Sequence, residues 1–271
     1  MTSASISTSS AFGERLRFWR NARSVSQLQL AMAANVSSRH VSFLETGRSK
    51  PSRQMVMQIA EVLDVPLRER NALLDAAGFA PAYRASNLDS EHLATVRHSL
   101  EFLLERHDPY PAVVVDRHWN LLLQNRASQQ LLRRFVLSAE SLVAPLNVMH
   151  VLFREDGMRP FVVNWNELTA AMVSRLQREA NSDPADAQCQ QLLSMALEAC
   201  GGAGRTPQME FAADSPAMLE MRLRRDDVEL GLFSTITTLG TPLDVTLQEL
   251  RLETFFPTDD ASEQVIKSLV E

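Results

Sequence analysis

The sequence has few cysteines, few aromatic residues and no long apolar run, and each shortage excludes a class of protein. Only Cys189 and Cys200 are present among 271 residues, and their spacing matches no metal-binding motif. Aromatic residues make up 6% of the chain, and no apolar segment approaches the roughly 18 residues of a membrane span. Residues 1–10 lack the charged-then-apolar order of a signal peptide and are expected to form a disordered tail. We therefore expect a cytoplasmic protein with no membrane span and with buried, structural thiols.

Charge is divided unevenly along the chain. Residues 1–85 hold 11 lysine and arginine residues against 6 acidic ones, a balance of +5, and the rest of the chain holds 16 against 27, a balance of −11. A basic segment ahead of an acidic remainder fits binding to DNA at one end only. The acidic part would be repelled by phosphates, so it is expected to have a different role.

Residues 26–47, SQLQLAMAANVSSRHVSFLETG, have the pattern of two short helices joined by a tight turn. Asn35 tolerates the left-handed conformation of such a turn, Ser37 suits an N-cap, and Gly47 suits a helix end. The second helix of this pair would fit the major groove of DNA. The apolar positions recur three or four residues apart in each half: Leu30, Ala31, Ala34, Val36, Val41 and Leu44. This stretch predicts a helix–turn–helix DNA-binding protein.

Three further helices complete a predicted five-helix domain over residues 11–80. The first covers about residues 13–22 and the fourth about residues 53–63, and the fifth starts at Pro66 and stops at Gly78. The domain as a whole is therefore expected to be all-α.

This domain resembles the XRE family of helix–turn–helix regulators. The resemblance depends on Gln27 at the start of the second helix, Ala31 at the close helix contact, and the run Leu-Glu-Thr-Gly-Arg at residues 44–48. It implies that Arg20 and Glu45 form a structural ion pair between the first and third helices. Breaking such a buried pair costs about 3–5 kcal/mol because it strands the remaining charge.

Sequence reading of DNA is assigned to the second helix of the motif. Arg39 is the main candidate, because a guanidinium can bond O6 and N7 of guanine together. Phe43 could contact a thymine methyl or pack against a neighbouring helix. Four residues are expected to hold phosphates, which positions the protein without reading sequence: Gln27, Ser37, Arg48 and Lys50. The predicted DNA-binding residues are Gln27, Ser37, Ser38, Arg39, Ser42, Phe43, Arg48 and Lys50.

The remainder of the chain is predicted to form an α+β domain. The proposed divisions are a linker and connecting helix over residues 81–108, a domain over residues 109–260 and a tail or helix over residues 261–271. Short apolar runs at about 112–115 and 121–123 predict a β-hairpin. Helical stretches are expected at about 127–137, 146–153, 165–180 and 187–200, and strand-like runs at about 218–223, 228–238 and 245–256. This order predicts an antiparallel sheet with helices segregated on it, as in a PAS-like module.

The connecting segment over residues 89–107 is amphipathic. Its apolar stripe is Leu93, Val96, Leu100, Leu103 and Leu104. Such a helix could bridge the domains, pack on the second domain, or pair with its copy in a dimer.

Three segments resemble the ligand-binding domain of MmyB-like transcription regulators, an XRE subgroup: PYPAVVVDRHWNLLLQN, VVNWNEL and ELRLETFFP. The resemblance implies a PAS-related domain with an apolar pocket for a fatty-acid-like molecule, and a homodimer. The candidate pocket residues are Val113, Val115, Leu123, Met149, Phe153, Phe161, Trp165, Met172, Phe233 and Ile236.

Together these features predict a ligand-responsive transcription regulator that binds a palindromic operator in double-stranded DNA. The alternative is a DNA-binding regulator whose C-terminal domain serves only for dimerisation or partner docking. An enzyme tethered to DNA is the third and least favoured possibility. Since the sequence has no nucleophile elbow, metal cluster or phosphate loop, we expect no catalytic residues, no metal and no cofactor.

Overall fold

The computed structural model describes residues 8–183, 186–201 and 218–271, and the chain divides into two compact units. The N-terminal unit is Met1–Asn87 together with Gly240–Gln248, and the C-terminal unit is Leu88–Leu239 together with Glu249–Glu271. The first boundary therefore lies inside the predicted linker over residues 81–108. The second unit is interrupted by a segment that belongs to the first.

The N-terminal unit contains the five predicted helices. They are α1 (Thr8–Ala22), α2 (Gln27–Ala33), α3 (Ser38–Glu45), α4 (Arg53–Val62) and α5 (Leu67–Ala76). Serine side chains cap the starts of α2, α3 and α4, because each hydroxyl accepts a hydrogen bond from a backbone N–H in the first turn. Since α1 begins at Thr8, residues 8–10 are helical rather than part of a tail. Residues 1–7 of the predicted tail lie outside the described residues.

A close approach between α1 and α3 organises this unit. A Cβ atom placed on Gly13 would lie 2.5 Å from the carbonyl oxygen of Glu45 and 2.8 Å from that of Leu44. Because both neighbours are backbone atoms, only glycine fits without a shift of one helix. The core beneath this crossing includes Phe12, Leu16 and Leu44, each at most 1% exposed.

The C-terminal unit is a five-stranded antiparallel sheet with helices, which confirms the α+β prediction. The strands are β1 (Ala112–Val115), β2 (Leu121–Gln124), β3 (Met221–Arg225), β4 (Val228–Thr237) and β5 (Arg251–Pro257), in the order β2-β1-β5-β4-β3. The helices are α6 (Ala94–His107), α7 (Arg126–Phe135), α8 (Val148–Phe153), α9 (Trp165–Ser182), α10 (Ala187–Ala199) and α12 (Asp260–Val270). The predicted terminal segment is thus helical up to Val270, and Ile266 joins the core at 1% exposure.

One predicted strand is partly wrong. The run over residues 245–256 begins as a short helix, α11 (Val245–Glu249), and becomes a strand only at Arg251. Asp244 starts the helix, because its Oδ1 accepts a hydrogen bond from the backbone N–H of Thr246 at 2.8 Å. In so short a run, apolar residues fit the periodicity of a helix as well as that of a strand. The cap at Asp244 therefore decides that the first residues are helical.

The predicted connecting helix, α6, packs on β1 of the C-terminal unit. Leu93, Leu100 and Leu104 are buried, whereas Leu103 is 48% exposed, so the buried stripe is narrower than the sequence indicated. In the described part of the chain, no helix combines the length and the apolar character required to cross a bilayer.

Candidate DNA-binding surface and ligand pocket

The turn between α2 and α3 has the predicted local structure. Asn35 adopts a left-handed conformation with φ of 51°. Ser37 caps α3, its hydroxyl accepting a hydrogen bond from the N–H of His40 at 3.1 Å. Gly47 has φ of 72°, so it reverses the chain just after α3 where a side chain would be strained. These three residues hold α3 at a defined angle to α2.

The Glu45 carboxylate links the first three helices. Its side chain is completely buried, and Oε2 accepts hydrogen bonds from Arg20 Nη2 at 3.2 Å and from Gln27 Nε2 at 2.8 Å. Arg17 approaches the same oxygen at 3.4 Å from an exposed position. Burial alone would raise the pKa of Glu45, but the hydrogen bonds from Arg20 and Gln27 lower it overall. The side chain of Gln27, predicted to hold a phosphate, is therefore used inside the domain.

The other predicted DNA-binding residues lie at the N-cap of α3, on this helix or in the loop that follows it. Arg39, Arg48 and Lys50 are exposed, as are Ser37 and Ser38. Ser42 and Phe43 are half-buried. These side chains provide a surface with three cations on one short helix and the loop that follows it.

Phe43 has a role that neither sequence-based alternative included. The guanidinium of Arg39 lies 5.1 Å from the centre of the Phe43 ring, and that of Arg48 lies 5.9 Å from it. Both distances are within the range of cation–π attraction. The ring therefore orients the base-reading candidate and a phosphate-binding candidate together. The spacing of four residues between Arg39 and Phe43 was a signal for this contact.

The C-terminal unit contains a partly open, mainly apolar cavity of about 120 Å³ between the sheet and its helices. The cavity is lined by Pro111, Val113, Trp119, Leu121, Ser128, Leu131, Leu132, Leu146, Val148, Met149, Val151, Leu152, Met158, Leu168, Met172, Leu219, Met221, Leu232, Ser234, Glu253 and Phe255. Three predicted lining residues, Val113, Met149 and Met172, are among them.

The other seven predicted lining residues lie elsewhere. Phe233 stacks on Phe256 at 5.4 Å, on the opposite face of the sheet from its cavity-lining neighbours in the strand. Successive side chains of a strand point to opposite faces of the sheet. A residue next to a cavity-lining residue in the strand therefore faces away from the cavity. The remaining six are in the core, half-buried or exposed: Val115, Leu123, Phe153, Phe161, Trp165 and Ile236.

Trp119 forms one wall of the cavity from the turn between β1 and β2. It is 1% exposed and has φ of 65°, an uncommon conformation for a bulky residue. Asp116 holds this turn by accepting hydrogen bonds from the N–H groups of His118 and Asn120. The indole N–H of Trp119 donates to Glu179 at 3.0 Å. The turn therefore fixes a large aromatic surface against the cavity.

Glu253 is the ionisable side chain among the described residues that line the cavity. It lies on β5, is 8% exposed, and accepts a hydrogen bond from the hydroxyl of Ser234 on β4 at 2.7 Å. Burial raises the pKa of Glu253, and the Ser234 hydroxyl, Arg175 and Arg251 offset this only in part. Sequence reasoning missed this residue because a glutamate in an alternating strand is normally assigned to the solvent face.

A second polar cluster lies outside the cavity, where ring and side-chain atoms of His118, Asp186 and Cys189 approach within 4.8 Å. Arg117 already pairs with Asp186 and also with Asp183, and hydrogen bonding holds the pKa of Asp186 at about 2 although burial opposes it. Burial raises the pKa of the Cys189 thiol to about 11. The guanidinium of Arg117 makes this cluster part of an ion-pair network with Asp183 and Asp186.

Comparisons with known proteins agree with both parts of this description. Residues 96–269 match the family described as the MmyB-like transcription regulator ligand binding domain, and residues 11–73 match a helix-turn-helix domain. No curated relative matches the chain.

Two solved structures resemble the chain over part of its length. The restriction-modification controller protein C.AhdI from Aeromonas hydrophila is 32% identical over 23% of this chain and 94% of its own, with a TM-score of 0.22. The clp gene regulator ClgR from C. glutamicum is 31% identical over 26% of this chain and 88% of its own, with a TM-score of 0.24.

Proposed function

The chain belongs to the MmyB-like transcription regulators, and on that premise we propose that a fatty-acid-like ligand binds its C-terminal unit and modulates operator binding by α3. The apolar cavity carries this proposal. A domain used only for dimerisation or partner docking would be expected to have a filled core, since interiors are close-packed. The antiparallel sheet with helices on it supports the PAS-like expectation for this unit.

We assign base reading to Arg39 of α3. We assign phosphate binding to Ser37, which precedes this helix, and to Arg48 and Lys50, which follow it. The exposure of these side chains and the stacking of Arg39 on Phe43 support the assignment. A homodimer would place two copies of α3 about 34–36 Å apart on a palindromic operator. Double-stranded DNA and a second copy of the chain are therefore the proposed macromolecular partners.

The path of the chain suggests how a ligand would act on the DNA-binding unit. Strands β4 and β5 both line the cavity, through Leu232, Ser234, Glu253 and Phe255. Residues 240–248, which connect these strands, belong to the N-terminal unit. Because this segment follows β4 and precedes β5 in the chain, a ligand that displaces either strand would also displace a segment of the N-terminal unit.

This connecting segment is firmly bound within the N-terminal unit. The side chain of Gln248 accepts a hydrogen bond from the backbone N–H of Leu67, the first residue of α5, at 2.7 Å. Asp244 accepts one from the hydroxyl of Ser86, also at 2.7 Å. The segment is thus a part of that unit rather than a loose loop. Modulation further requires that the ligand bind one arrangement of the protein more tightly than another.

Denaturing mass spectrometry of the purified full chain, followed by thermal shifts across a fatty-acid panel, tests ligand binding. Operator affinity with and without the best ligand, measured by fluorescence anisotropy, tests modulation. We expect a bound or stabilising ligand and a change in operator affinity. Recovery of no small molecule together with no thermal shift would favour the dimerisation alternative. An Asp244→Asn variant that keeps both ligand and operator binding but loses the effect of one on the other would support the proposed path.

A further inference from the structure

A nitrogen, an oxygen and a sulfur donor meet in the C-terminal unit outside the cavity. His118 lies in the turn between β1 and β2, Asp186 is the N-cap of α10, and Cys189 is the third residue of that helix. Their candidate ligand atoms all lie within 4.8 Å of one another, and His118 Nε2 is 2.8 Å from Asp186 Oδ2. None of these three residues belongs to the described lining of the cavity.

The local fold directs these donors to one point. Because the N-cap and the third residue of a helix are neighbours on its first turn, Asp186 and Cys189 lie on the same side of α10. Asp186 Oδ1 accepts hydrogen bonds from the backbone N–H groups of Gln188 and Cys189, at 3.0 Å and 3.1 Å. This cap fixes the carboxylate and leaves Oδ2 directed at His118. An ion bound to Oδ2 would therefore leave the cap intact.

The donor set is typical of zinc and related transition metals. Zinc binds imidazole nitrogen, carboxylate oxygen and thiolate sulfur at about 2.0–2.3 Å, whereas calcium and magnesium prefer oxygen ligands. The nitrogen and oxygen ligands of a tetrahedral ion lie about 3.3 Å apart, so His118 and Asp186 would separate by about 0.5 Å. The ion would take the place of the proton in their hydrogen bond.

The balance of charge favours a divalent ion at this point. Arg117 pairs with Asp183 at 3.2 Å, with Asp186, and with Glu249 at 3.3 Å. Arg117, Asp183 and Asp186 together carry one positive and two negative charges. A divalent ion bound to the thiolate of Cys189 adds one positive charge, which brings these groups to neutrality, and Glu249 counts the same in both states. Arg117 can release Asp186 to the ion because it keeps its other two carboxylate partners.

We propose that His118, Asp186 and Cys189 form a binding site for one divalent transition-metal ion of the zinc class. Burial raises the pKa of the Cys189 thiol to about 11, so the ion displaces the thiol proton to solvent as it binds. The imidazole proton moves to Nδ1, and water takes the fourth position on the ion. The bound ion would tie the turn that carries Trp119, a wall of the cavity, to the start of α10. This inference does not depend on the proposed ligand function.

Cobalt(II), added to the full-length protein under reducing conditions without chelators, tests the site. A cobalt–thiolate bond gives a charge-transfer absorption band, and Cys189 and Cys200 are the only thiols of the chain. We expect this band in the natural chain and in the matched control Cys200→Ser, but not in Cys189→Ser. Zinc should displace the cobalt and abolish the band. Zinc should also raise the unfolding temperature of the natural chain but not that of Cys189→Ser, since an ion stabilises only the fold that binds it.

Two variants that keep the thiol separate loss of a ligand from damage to the fold. His118→Gln should bind cobalt about tenfold or more weakly, since even the outer partners of a metal ligand are worth that much. Arg117→Gln should bind cobalt at least as tightly as the natural chain, because it removes a cation that competes for Asp186. No thiolate band in the natural chain with cobalt in excess would overturn the inference. An undiminished band in Cys189→Ser, or an unchanged cobalt affinity in His118→Gln, would do the same.

Discussion

The buried carboxylate of Glu45 allows a quantitative test of how the DNA-binding unit is held together. Replacing Arg20 by alanine removes two hydrogen bonds from a carboxylate that has no access to solvent. Gln27 and Arg17 remain as partners. We therefore expect a loss of about 3 kcal/mol, at the lower end of the range for breaking a buried ion pair.

Amide hydrogen exchange over residues 38–45 of the full chain measures this loss within the unit concerned. The most protected amides of a cooperative unit exchange only when that unit unfolds. A loss of about 3 kcal/mol in the free energy of unfolding therefore corresponds to roughly 150-fold faster exchange. Arg17→Ala is the matched control. Arg17 is 52% exposed and approaches Glu45 at 3.4 Å, so its removal should cost less than about 1 kcal/mol.

The pH dependence gives a second readout of the same pair. The folded pKa of Glu45 lies below its ordinary value of 4.5, although burial opposes this, because Arg20 and Gln27 bond to the ionised form. Its contribution to stability is therefore present above that value and is lost as pH falls through the lowered folded pKa. The gap between Arg20→Ala and the natural chain should narrow in acid. An Arg20→Ala effect no larger than that of Arg17→Ala would refute this reasoning.

Three further predictions concern the other features described above. Arg39→Ala should cost about 1–3 kcal/mol and relax one base position in a sequence-selection experiment, whereas Lys50→Ala should weaken binding to all sequences alike; unchanged sequence preference in Arg39→Ala would contradict the assignment. Burial raises the folded pKa of Glu253, so the contribution of this residue to stability is full below pH 4.5 and declines as pH rises through the folded pKa. In thermal melts, Glu253→Gln should therefore be more stable than the natural chain at pH 8 but not at pH 4. Gly13→Ala should destabilise the DNA-binding unit by about 1–3 kcal/mol in hydrogen exchange, despite the better helix propensity of alanine, because its Cβ meets backbone atoms of α3.

Several features of this protein were predictable from sequence because their causes are local. The helix–turn–helix depends on Asn35, Ser37 and Gly47, whose conformations follow from their own side chains or from the lack of one. The hairpin between β1 and β2 and the four helices that follow it were also predictable within a few residues, since short-range apolar periodicity and caps define them. The resemblance to known regulators indicated the class of ligand-binding domain.

The candidate pocket was harder to predict, because its lining depends on register between distant strands. Met and aromatic residues were reasonable candidates, yet Phe233 lies on the far face of the sheet from Leu232 and Ser234. The sequence also gave no reason to choose Glu253, whose burial depends on pairing with β1 and β4 on both sides. A change of one residue in register would have reversed both assignments.

The sequence by itself determined which part of the chain forms the helix–turn–helix, since helix periodicity and caps are encoded within about 20 neighbouring residues. Only the tertiary structure decided which side chains line the cavity and that residues 240–248 belong to the N-terminal unit. These properties arise from contacts between residues more than 100 positions apart, such as Leu67 with Gln248 and Ser86 with Asp244. Local pattern carries no information about such pairs, because their energy is gained only when the whole fold brings them together.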